Sequence, residues 1–305
     1  MDRLITVRQI AAYLKEKKLP HAIQGNADEA VCGFSSLSRY REDTITWVNS
    51  PEKSFQPSVP VSVCVVQEGA DLQAAAKIIT PQSKAVFFSI LEHFWSDTCE
   101  DNMPDIGPGT VIGPDVRIGK DVKIGCNCSI TGNITIGSGT VIADNVVIRN
   151  RVKIGSDCTV QSLTVIGEDG YGYSEDAHHI KTMIKHFGGV SIGDNVFIGS
   201  HTNIARGTID DTVIESGTKI APSTHIGHNN YIGKNASVVC SKLFGSVTVG
   251  ENAYISASTV RNQAEIGKDA IVGMGSVVTA DVEENKVVVG APARVIRENS
   301  GKEKL

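Results

Sequence analysis

The sequence is poor in aromatic residues, which make up 5% of its 305 residues. It contains no apolar run of the roughly 18 residues that a membrane span needs, so no span is expected. Its first residues, MDRLITVRQI, lack the apolar region of a signal peptide, and we therefore expect a cytoplasmic protein. The formal net charge is −5, which argues against a nucleic-acid partner.

Cysteine is present in an odd number, 7, and at irregular spacing, which does not favour a disulfide framework. Free thiols in a reducing compartment are the favoured interpretation. The alternative is a metal site at Cys126 and Cys128. Alternating strand residues near a corner make a poor tetrahedral pocket, so no metal is expected.

The abundant feature is a six-residue repeat of Ile or Val, which a chance pattern would not keep in phase over so long a stretch. Most of these residues are followed by Gly, and a small or β-branched residue stands two positions before each of them. The repeating positions are Ile106, Ile112, Ile118, Ile124, Ile130, Ile136, Ile142, Ile148, Ile154, Val160 and Ile166.

This period predicts a mainly β fold, a parallel β-solenoid. Each hexapeptide supplies one short strand and one turn, with the aliphatic residue inside a triangular prism. Gly, Asn and Asp after it allow the backbone to turn the corner. Three hexapeptides close one coil, and stacked coils pair as parallel strands about 4.8 Å apart. A narrow prism also explains the shortage of large rings.

Residues 1–100 lack the repeat and predict a small α/β domain, followed by a solenoid over 101–280 and a C-terminal segment over 281–305. Thr6 is a candidate N-cap for a helix through VRQIAAYLKEK. The remaining predicted elements of the first domain are strands at Ile45–Val48 and Val61–Val66 and helices at Leu72–Ile79 and Lys84–Phe94.

The solenoid phase is lost once, between Gly167 and Gly189, where a long loop is predicted. Loops of this length in a regular architecture usually have a function. The phase returns at Ile192, slips through the segment RGTIDD, and then continues with two later one-residue slips to Val278.

Several ordered blocks outside the bare repeat resemble the UDP-3-O-acylglucosamine N-acyltransferases of lipid A synthesis. These blocks are GEDGYGY (Gly167–Tyr173), IGDNVFIGSHTNIARGTIDDTVI (Ile192–Ile214), HIGHN (His225–Asn229) and, in the first domain, ITWVNS (Ile45–Ser50). The resemblance covers nearly the whole chain. It implies a left-handed β-helix, a homotrimer and a nucleotide-linked amino sugar as the acyl acceptor.

By this resemblance His228 is the general base, and an imidazole is suited to take the proton that an amine loses as it attacks a thioester. Two departures bear on the mechanism. The family has an orienting Asp seven residues earlier, where this chain has Ala221, and a second His where this chain has Gln263. Gln263 remains able to donate a hydrogen bond to a carbonyl. The candidates to replace the missing acid are Glu215, Asp210 and Asp211.

The resemblance also implies an acceptor site. Trp47 aligns with an aromatic residue that stacks on uracil, and Lys53 or Phe55 takes the place of a nearby Tyr. Whether the base is uracil or thymine, and so the nucleotide UDP or dTDP, stays open. The acceptor-binding candidates are Trp47, Asn49, Tyr171, Tyr173, His186 and Asn229.

The segment GAPARVI (Gly290–Ile296) instead resembles the C-terminus of hexapeptide acetyltransferases that use coenzyme A. There, backbone N–H groups and the basic side chain meet the cofactor, and Lys286 would assist with phosphates. The alternative is that the segment only terminates the last coil. Met274 matches a Met that limits acyl length in the lipid A enzymes, and the alternative is that it only fills the interior. The donor-binding candidates are Gly273, Met274, Gly290, Pro292 and Arg294.

The leading hypothesis is therefore an N-acyltransferase of cell-surface polysaccharide biosynthesis. It would move a short acyl group from acyl-coenzyme A to a nucleotide-linked amino sugar. The alternative enzyme is a lipid A-type N-acyltransferase that uses acyl carrier protein. A γ-carbonic anhydrase is disfavoured because His201, His225 and His228 lack its zinc-ligand spacing. The alternative from another class is a solenoid that serves as an assembly scaffold.

We expect a homotrimer, because a prism face rich in Val, Ile and Thr exposes strand surface that a three-fold neighbour can cover. Sedimentation equilibrium at micromolar concentration should give three times the mass of the chain, 32.4 kDa. We also expect the active sites to lie between subunits, and a stable monomer would contradict this.

Overall fold

The computed structural model describes residues 4–48, 57–95 and 103–301. The chain divides into two compact units, Met1–Thr98 and Cys99–Leu305. Of the predicted site residues, Asn49 lies outside the described residues, as do Lys53 and Phe55.

The first unit contains one five-stranded mixed sheet in the order β2-β7-β6-β5-β4 and a separate antiparallel pair, β1 with β3. Its elements are β1 (Ile5–Thr6), α1 (Val7–Glu16), β2 (Ala22–Gly25), β3 (Ala30–Val31), β4 (Gly33–Phe34), a 3-10 turn (Leu37–Arg39), β5 (Thr44–Trp47), β6 (Val61–Val66), β7 (Ala74–Ile79) and α2 (Ser83–Trp95).

Helix α1 begins where the sequence predicts. The Thr6 side chain accepts from the Gln9 backbone N–H at 3.3 Å, and the Gln9 side chain accepts from the Thr6 N–H at 2.8 Å. This reciprocal pair is a capping box, which satisfies two donors that the first turn leaves free. Val7, Ile10 and Leu14 are buried on one face, so the helix packs as an amphipathic element.

The predicted helix at Leu72–Ile79 is wrong, because this segment forms strand β7. It pairs antiparallel with β2 and parallel with β6, so both of its edges are used. Ala76 and Ile78 are buried in alternation, as a strand requires. The alanine-rich composition favours a helix locally, and the sheet overrides that preference. The second predicted helix is confirmed as α2.

The second unit is a β-solenoid built from short strands. Its first strands are β8 (Val111–Ile112), β9 (Val116–Ile118), β10 (Lys123–Ile124), β11 (Ser129–Ile136), β12 (Val141–Ile142), β13 (Val147–Ile154), β14 (Thr159–Val160), β15 (Val165–Glu168), β16 (Tyr173–Glu175), β17 (Lys181–Met183) and β18 (Val190–Ile192).

All but the last of the remaining strands continue the series of short solenoid strands. They are β19 (Phe197–Ile198), β20 (Asn203–Ala205), β21 (Thr212–Ile214), β22 (Lys219–Ile220), β23 (His225–Ile226), β24 (Tyr231–Ile232), β25 (Ser237–Val239), β26 (Lys242–Leu243), β27 (Thr248–Val249), β28 (Tyr254–Ser256), β29 (Thr259–Val260), β30 (Glu265–Ile266), β31 (Ile271–Val272), β32 (Val277–Val278), β33 (Lys286–Val289) and β34 (Arg294–Glu298).

Successive coils pair in parallel, with each inward aliphatic residue over its counterpart in the next coil. On the face that carries β23, the column of partners is Ile130, Ile148, Ile166, Ile204, Ile226, Leu243, Val260 and Val278. The long strands β11 and β13 pair along their whole length and join this face to the next one.

The predicted interior is confirmed from Ile124 onward, where the repeating aliphatic residues are buried. The residues two positions earlier are buried as well, among them Cys128 and Cys158. The first coil differs, because Ile106 is 50% and Ile118 is 38% exposed. These residues belong to the coil that begins the parallel stack.

The corners rely on residues in the left-handed backbone region. Asn145, Asn195, Asn229 and Asn235 all have φ between +54° and +58°. Asn enters this region at lower cost than other non-glycine residues. At Gly132, where φ is +130°, an added Cβ would lie 2.1 Å from the Asn150 carbonyl oxygen, so this corner requires glycine.

The predicted interruption is an insertion that leaves the stack intact. Ile166 and Ile204 pair directly, although 38 positions separate them in the sequence. Part of the inserted segment forms the antiparallel hairpin of β16 and β17. The loop therefore leaves the prism at one corner and returns to the same coil interface.

The parallel stack continues beyond residue 280, because β33 pairs in parallel with β31. The chain then reverses, and β34 pairs antiparallel with β33. Neither helix in the described parts of the chain is long and apolar enough to cross a membrane.

We predict that Ile204→Ala lowers the free energy of unfolding by about 2–5 kcal/mol, because Ile204 is fully buried and truncation leaves a cavity. Val111→Ala is the matched control, since Val111 is 59% exposed on a strand of the same stack. Urea unfolding followed by circular dichroism measures both variants. Equal stability of the two variants would contradict a close-packed prism interior.

Candidate functional site

His228 lies at a corner of the prism, directly after strand β23. The next residue but one, Asn230, is 1% exposed and locks this corner. Its Nδ2 donates to the carbonyl oxygens of Gly227 at 2.6 Å and Phe244 at 2.9 Å. Its Oδ1 accepts from the Val247 N–H at 2.9 Å. Because Asn230 bonds to the next coil, His228 stands on a rigid turn.

Asn229 orients the imidazole of His228. The His228 Nδ1 is 2.9 Å from the Asn229 Oδ1. The same oxygen accepts from the backbone N–H of Thr208 at 3.1 Å, and the Asn229 Nδ2 donates to the Asp210 carbonyl at 3.4 Å. A backbone N–H can only donate, so the amide orientation is settled. His228 must therefore carry its proton on Nδ1, which leaves the Nε2 lone pair free.

Two glycines make room for this imidazole. A Cβ on Gly245, in the next coil, would lie 2.6 Å from the His228 Nε2. A Cβ on Gly170, in the inserted loop, would lie 3.0 Å from the His228 Cδ2. Any larger residue at Gly245 would collide with the His228 Nε2. The Gly245 N–H donates to the Asn262 Oδ1 at 3.2 Å.

His186 comes from the far end of the inserted loop and reaches His228. The two rings are perpendicular, with centroids 5.3 Å apart. His186 is 3% exposed, and its Nδ1 is 2.9 Å from the Ile184 carbonyl oxygen. The sequence predicts this residue among the acceptor-binding residues of the loop, and the structure places its ring against that of His228.

The RGTIDD segment anchors the inserted loop. The Arg206 Nε donates to the Gly188 carbonyl at 2.8 Å. The Asp211 Oδ1 accepts from the Gly189 N–H at 2.7 Å and from Arg151 at 2.5 Å. The phase slip at this segment therefore supplies polar groups that close the base of the loop.

None of the three acids proposed to replace the missing Asp is hydrogen-bonded to His228 in the described part of the chain. The Asp211 carboxylate is used by the loop, and the Glu215 carboxylate accepts from the Tyr231 hydroxyl at 3.4 Å. Asp210 contributes its backbone oxygen to Asn229. The orienting acceptor is instead an amide. A corner Asn that directly follows the His was the available sequence signal.

Tyr171 and Tyr173 lie on the surface of the inserted loop. Their rings are 4.9 Å apart, and they are 78% and 43% exposed. Exposed aromatic faces are available to a ligand, and their role in binding the sugar stays a prediction.

Gln263 is not brought next to His228. It is an exposed corner residue with φ +59°, and its N–H donates to the Gly245 carbonyl at 2.9 Å. Pairing of Ile226 with Leu243, and of Leu243 with Val260, sets its corner two coils from that of His228. At the usual coil spacing this is about 10 Å along the prism, so a catalytic role for Gln263 stays a prediction.

Of the donor candidates, Met274 is 78% exposed at a corner after β31. An exposed corner excludes the alternative that Met274 only fills the interior. A Cβ on the adjacent Gly273 would lie 2.6 Å from a methyl group of Val289.

The segment from Gly290 to Arg294 folds back onto the last coil. The Val277 N–H donates to the Gly290 carbonyl, and the Ala293 N–H donates to the Val277 carbonyl. Pro292 lies in the connection that this reversal requires. The Arg294 side chain is exposed and donates to the adjacent Ala293 carbonyl at 2.8 Å. The segment thus terminates the coil, and its guanidinium remains accessible.

In the first unit Trp47 is partly buried against the core. Its ring is 6.0 Å from that of Phe87 in a stacked arrangement and 6.0 Å from that of Phe88 at an angle of 64°. These contacts use part of the indole surface, so stacking on a nucleotide base stays a prediction.

Within the described residues, no group of three or more His, Cys, Asp or Glu side chains is arranged to hold a metal ion. Cys128 is buried, and its thiol donates to the Ala143 carbonyl at 3.1 Å. Burial raises the pKa of the Cys128 and Cys158 thiols. A raised pKa disfavours the thiolate that a metal would need.

Three family models match the solenoid. Residues 133–168 match "Bacterial transferase hexapeptide (six repeats)", residues 115–150 and 189–220 match "Hexapeptide repeat of succinyl-transferase", and residues 208–301 match "GMPPB C-terminal domain".

Among curated proteins, the UDP-3-O-acylglucosamine N-acyltransferase of Albidiferax ferrireducens is 38% identical over 74% of this chain and 70% of its own length. The enzyme of the same name from Delftia acidovorans is 36% identical over 74% of this chain and 69% of its own. The chain belongs to the UDP-3-O-acylglucosamine N-acyltransferase family.

Two solved structures of similar proteins share the fold of this chain. LpxA from Acinetobacter baumannii has a TM-score of 0.59 at 25% identity and covers 64% of this chain and 75% of its own. The Francisella novicida UDP-N-acetylglucosamine acyltransferase has a TM-score of 0.58 at 26% identity and covers 63% and 70%. The solenoid is a left-handed parallel β-helix, as the family resemblance implies.

We predict that Asn229→Gly lowers kcat by about 10- to 100-fold, part of the 10²–10⁴-fold that a general base contributes. Glycine accepts the corner's positive φ, so the variant removes the acceptor without strain. Asn229→Asp keeps an acceptor and should retain most activity. Asn235→Gly is the control, since Asn235 has the same φ of +57° at a corner away from the site. Normal turnover in Asn229→Gly would show that the amide does not orient the base.

Proposed function

We propose that this protein is a UDP-3-O-acylglucosamine N-acyltransferase, which transfers an acyl group to the amino group of a UDP-linked acylated glucosamine. The observation that carries the proposal is the Asn229–His228 pair, which directs a free imidazole lone pair from a rigid corner. The relatives' names supply the acceptor. The proposed function is therefore the alternative from the sequence analysis, a lipid A-type N-acyltransferase. It replaces the leading hypothesis of an enzyme that uses acyl-coenzyme A.

The reaction requires a base that can take one proton from the acceptor amine, and an imidazole with a free lone pair is such a base. The amine nitrogen attacks the carbonyl carbon of an acyl thioester and forms a C–N bond. His228 Nε2 removes a proton from that nitrogen as the tetrahedral intermediate forms. The intermediate then collapses, the C–S bond breaks, and the departing sulfur takes the proton from His228. The imidazole ends as it began, with its Nε2 free.

The backbone N–H of Gly245 is suited to the oxygen that becomes negative in this intermediate. Gly245 lies against the His228 Nε2, and its N–H is held by a side chain at 3.2 Å rather than by the coil-to-coil ladder. A thioester oxygen can replace the Asn262 amide there. Preorganised donors aimed at developing charge are among the strongest contributions to catalysis.

We propose acyl carrier protein as the donor, as the family resemblance implies. A coenzyme A groove at the last coil would need cations for the phosphates. Of the two candidates, Lys286 is already paired with Glu298 and lies 3.9 Å from Glu283. The hydrogen bond to Glu298 and the charges of both carboxylates raise the pKa of Lys286, so its ammonium group stays charged but is already paired. Arg294 remains exposed and keeps coenzyme A as the rival donor.

The proposal also includes a homotrimer and stacking of the nucleotide base on Trp47. The trimer is what the resemblance to hexapeptide acyltransferases implies. An indole face suits a pyrimidine base.

The test offers one UDP-3-O-acylglucosamine to the protein with the same acyl chain on acyl carrier protein and on coenzyme A. We expect turnover with the carrier protein, and His228→Ala should lower kcat by about 10²–10⁴-fold with a smaller effect on KM. His201→Asn is the control, since His201 is an exposed histidine at another corner of the prism, with φ +56°.

Each other outcome selects a rival. Turnover with acyl-coenzyme A alone would restore the coenzyme A hypothesis, and Arg294→Ala should then raise the KM for that donor. Transfer to other amino-sugar nucleotides but not to this one would revise the acceptor. No thioester consumption with any acceptor would favour the assembly scaffold.

A further inference from the structure

His186 is a buried histidine with a ring nitrogen that no described residue satisfies. The Ile184 carbonyl, 2.9 Å from Nδ1, can only accept, so Nδ1 carries a proton. In the neutral ring the lone pair is then on Nε2, which is buried and has no hydrogen-bond partner among the described residues. An unpartnered buried acceptor is destabilising, and native proteins keep few of them. This one therefore calls for a functional explanation.

The unpartnered nitrogen lies beside Gly170, as does the Cδ2 side of the His228 ring. The position of a Cβ on Gly170 would be 3.2 Å from the His186 Nε2 and 3.0 Å from the His228 Cδ2. Both atoms therefore border the same glycine. The His228 Nε2 lies instead against Gly245. The His186 Nε2 thus borders His228 on its Cδ2 side, and the His228 Nε2 stays open on the Gly245 side.

The attraction between these rings changes during the reaction. When His228 takes the amine proton, the positive charge spreads over the imidazolium, including its C–H groups. The negative end of the His186 dipole then faces a cation across a buried gap. Such electrostatic interactions are stronger in a low-dielectric interior than in water. An interaction that appears only with the charge lowers the barrier rather than tightening substrate binding.

We propose that His186 is a positioning residue that acts through His228, and that its Nε2 lone pair stabilises the imidazolium formed when the base accepts the amine proton. The inference rests on the proposed function. It assigns to the inserted loop a part in the chemical step, in addition to any contact with the sugar. Gly170 is essential to it, because a side chain there would separate the two rings.

The test compares His186→Leu, which removes the acceptor, with His186→Gln, which supplies a carbonyl oxygen in its place. His179→Leu is the control, since His179 is an exposed histidine of the same loop. Each of the two His186 variants is also made in the His228→Ala background. The measurements are kcat and the KM of both substrates, with trimer mass and thermal stability as checks on folding.

We expect His186→Leu to lower kcat by about tenfold, the effect of one ordinary hydrogen-bond-sized interaction, with KM nearly unchanged. His186→Gln should recover most of the loss. In the His228→Ala background neither substitution should lower the remaining turnover further, because the residue they act through is absent. If the Leu variant does not fold, His186→Phe replaces it as a planar ring without an acceptor.

Three results would overturn the inference. A raised KM with unchanged kcat would make His186 a sugar contact. An equal loss in the His228→Ala background would make it a structural residue of the loop. A Gln variant as impaired as the Leu variant would show that the acceptor is irrelevant. Wild-type protein without any acyl transfer would instead remove the proposed function, and this inference with it.

Discussion

The backbone hydrogen bonds between successive coils are the constraint on which the rest of the solenoid depends. The Gly227 N–H donates to the Leu243 carbonyl, and the Ser246 N–H donates to the His228 carbonyl, both at 2.8 Å. This register aligns the corners of successive coils as well as their strands. His228 therefore lies over Gly245, and Gly245 lies over Asn262. The candidate site at this corner is built from several coils, and its geometry depends on the ladder as well as on the local turn.

The prism could be predicted because its information is local and repeated. An inward Ile or Val recurs every six residues, and the residues buried from Ile124 onward follow this period. The first coil departs because burial depends on a neighbour on each side, and periodicity does not reveal where a stack begins. Strand β7 departs for a related reason. Its alanines carry a helical preference, and the partners on its two edges decide its conformation.

The candidate site was predictable only in part. The resemblance pointed to His228, and the structure supplies what the resemblance lacked, an amide at Asn229 in the place of a carboxylate. The contact between His186 and His228 joins residues that are 42 positions apart. It depends on how an irregular loop folds back over the prism, for which no periodic signal exists. The roles of Gly170 and Gly245 are likewise visible only as space left open beside a ring.

The reversal of the chain after β33 affects whether another chain can pair with the last coil, as well as the stability of that coil. A stack of parallel coils presents an unpaired strand edge at its last coil, and such an edge is a template for adding another chain. On the face that carries β33, the antiparallel strand β34 occupies that edge, and three of its five exposed residues are charged. A further parallel coil cannot continue the ladder there. On this face the same short strand thus works against end-to-end growth into fibres.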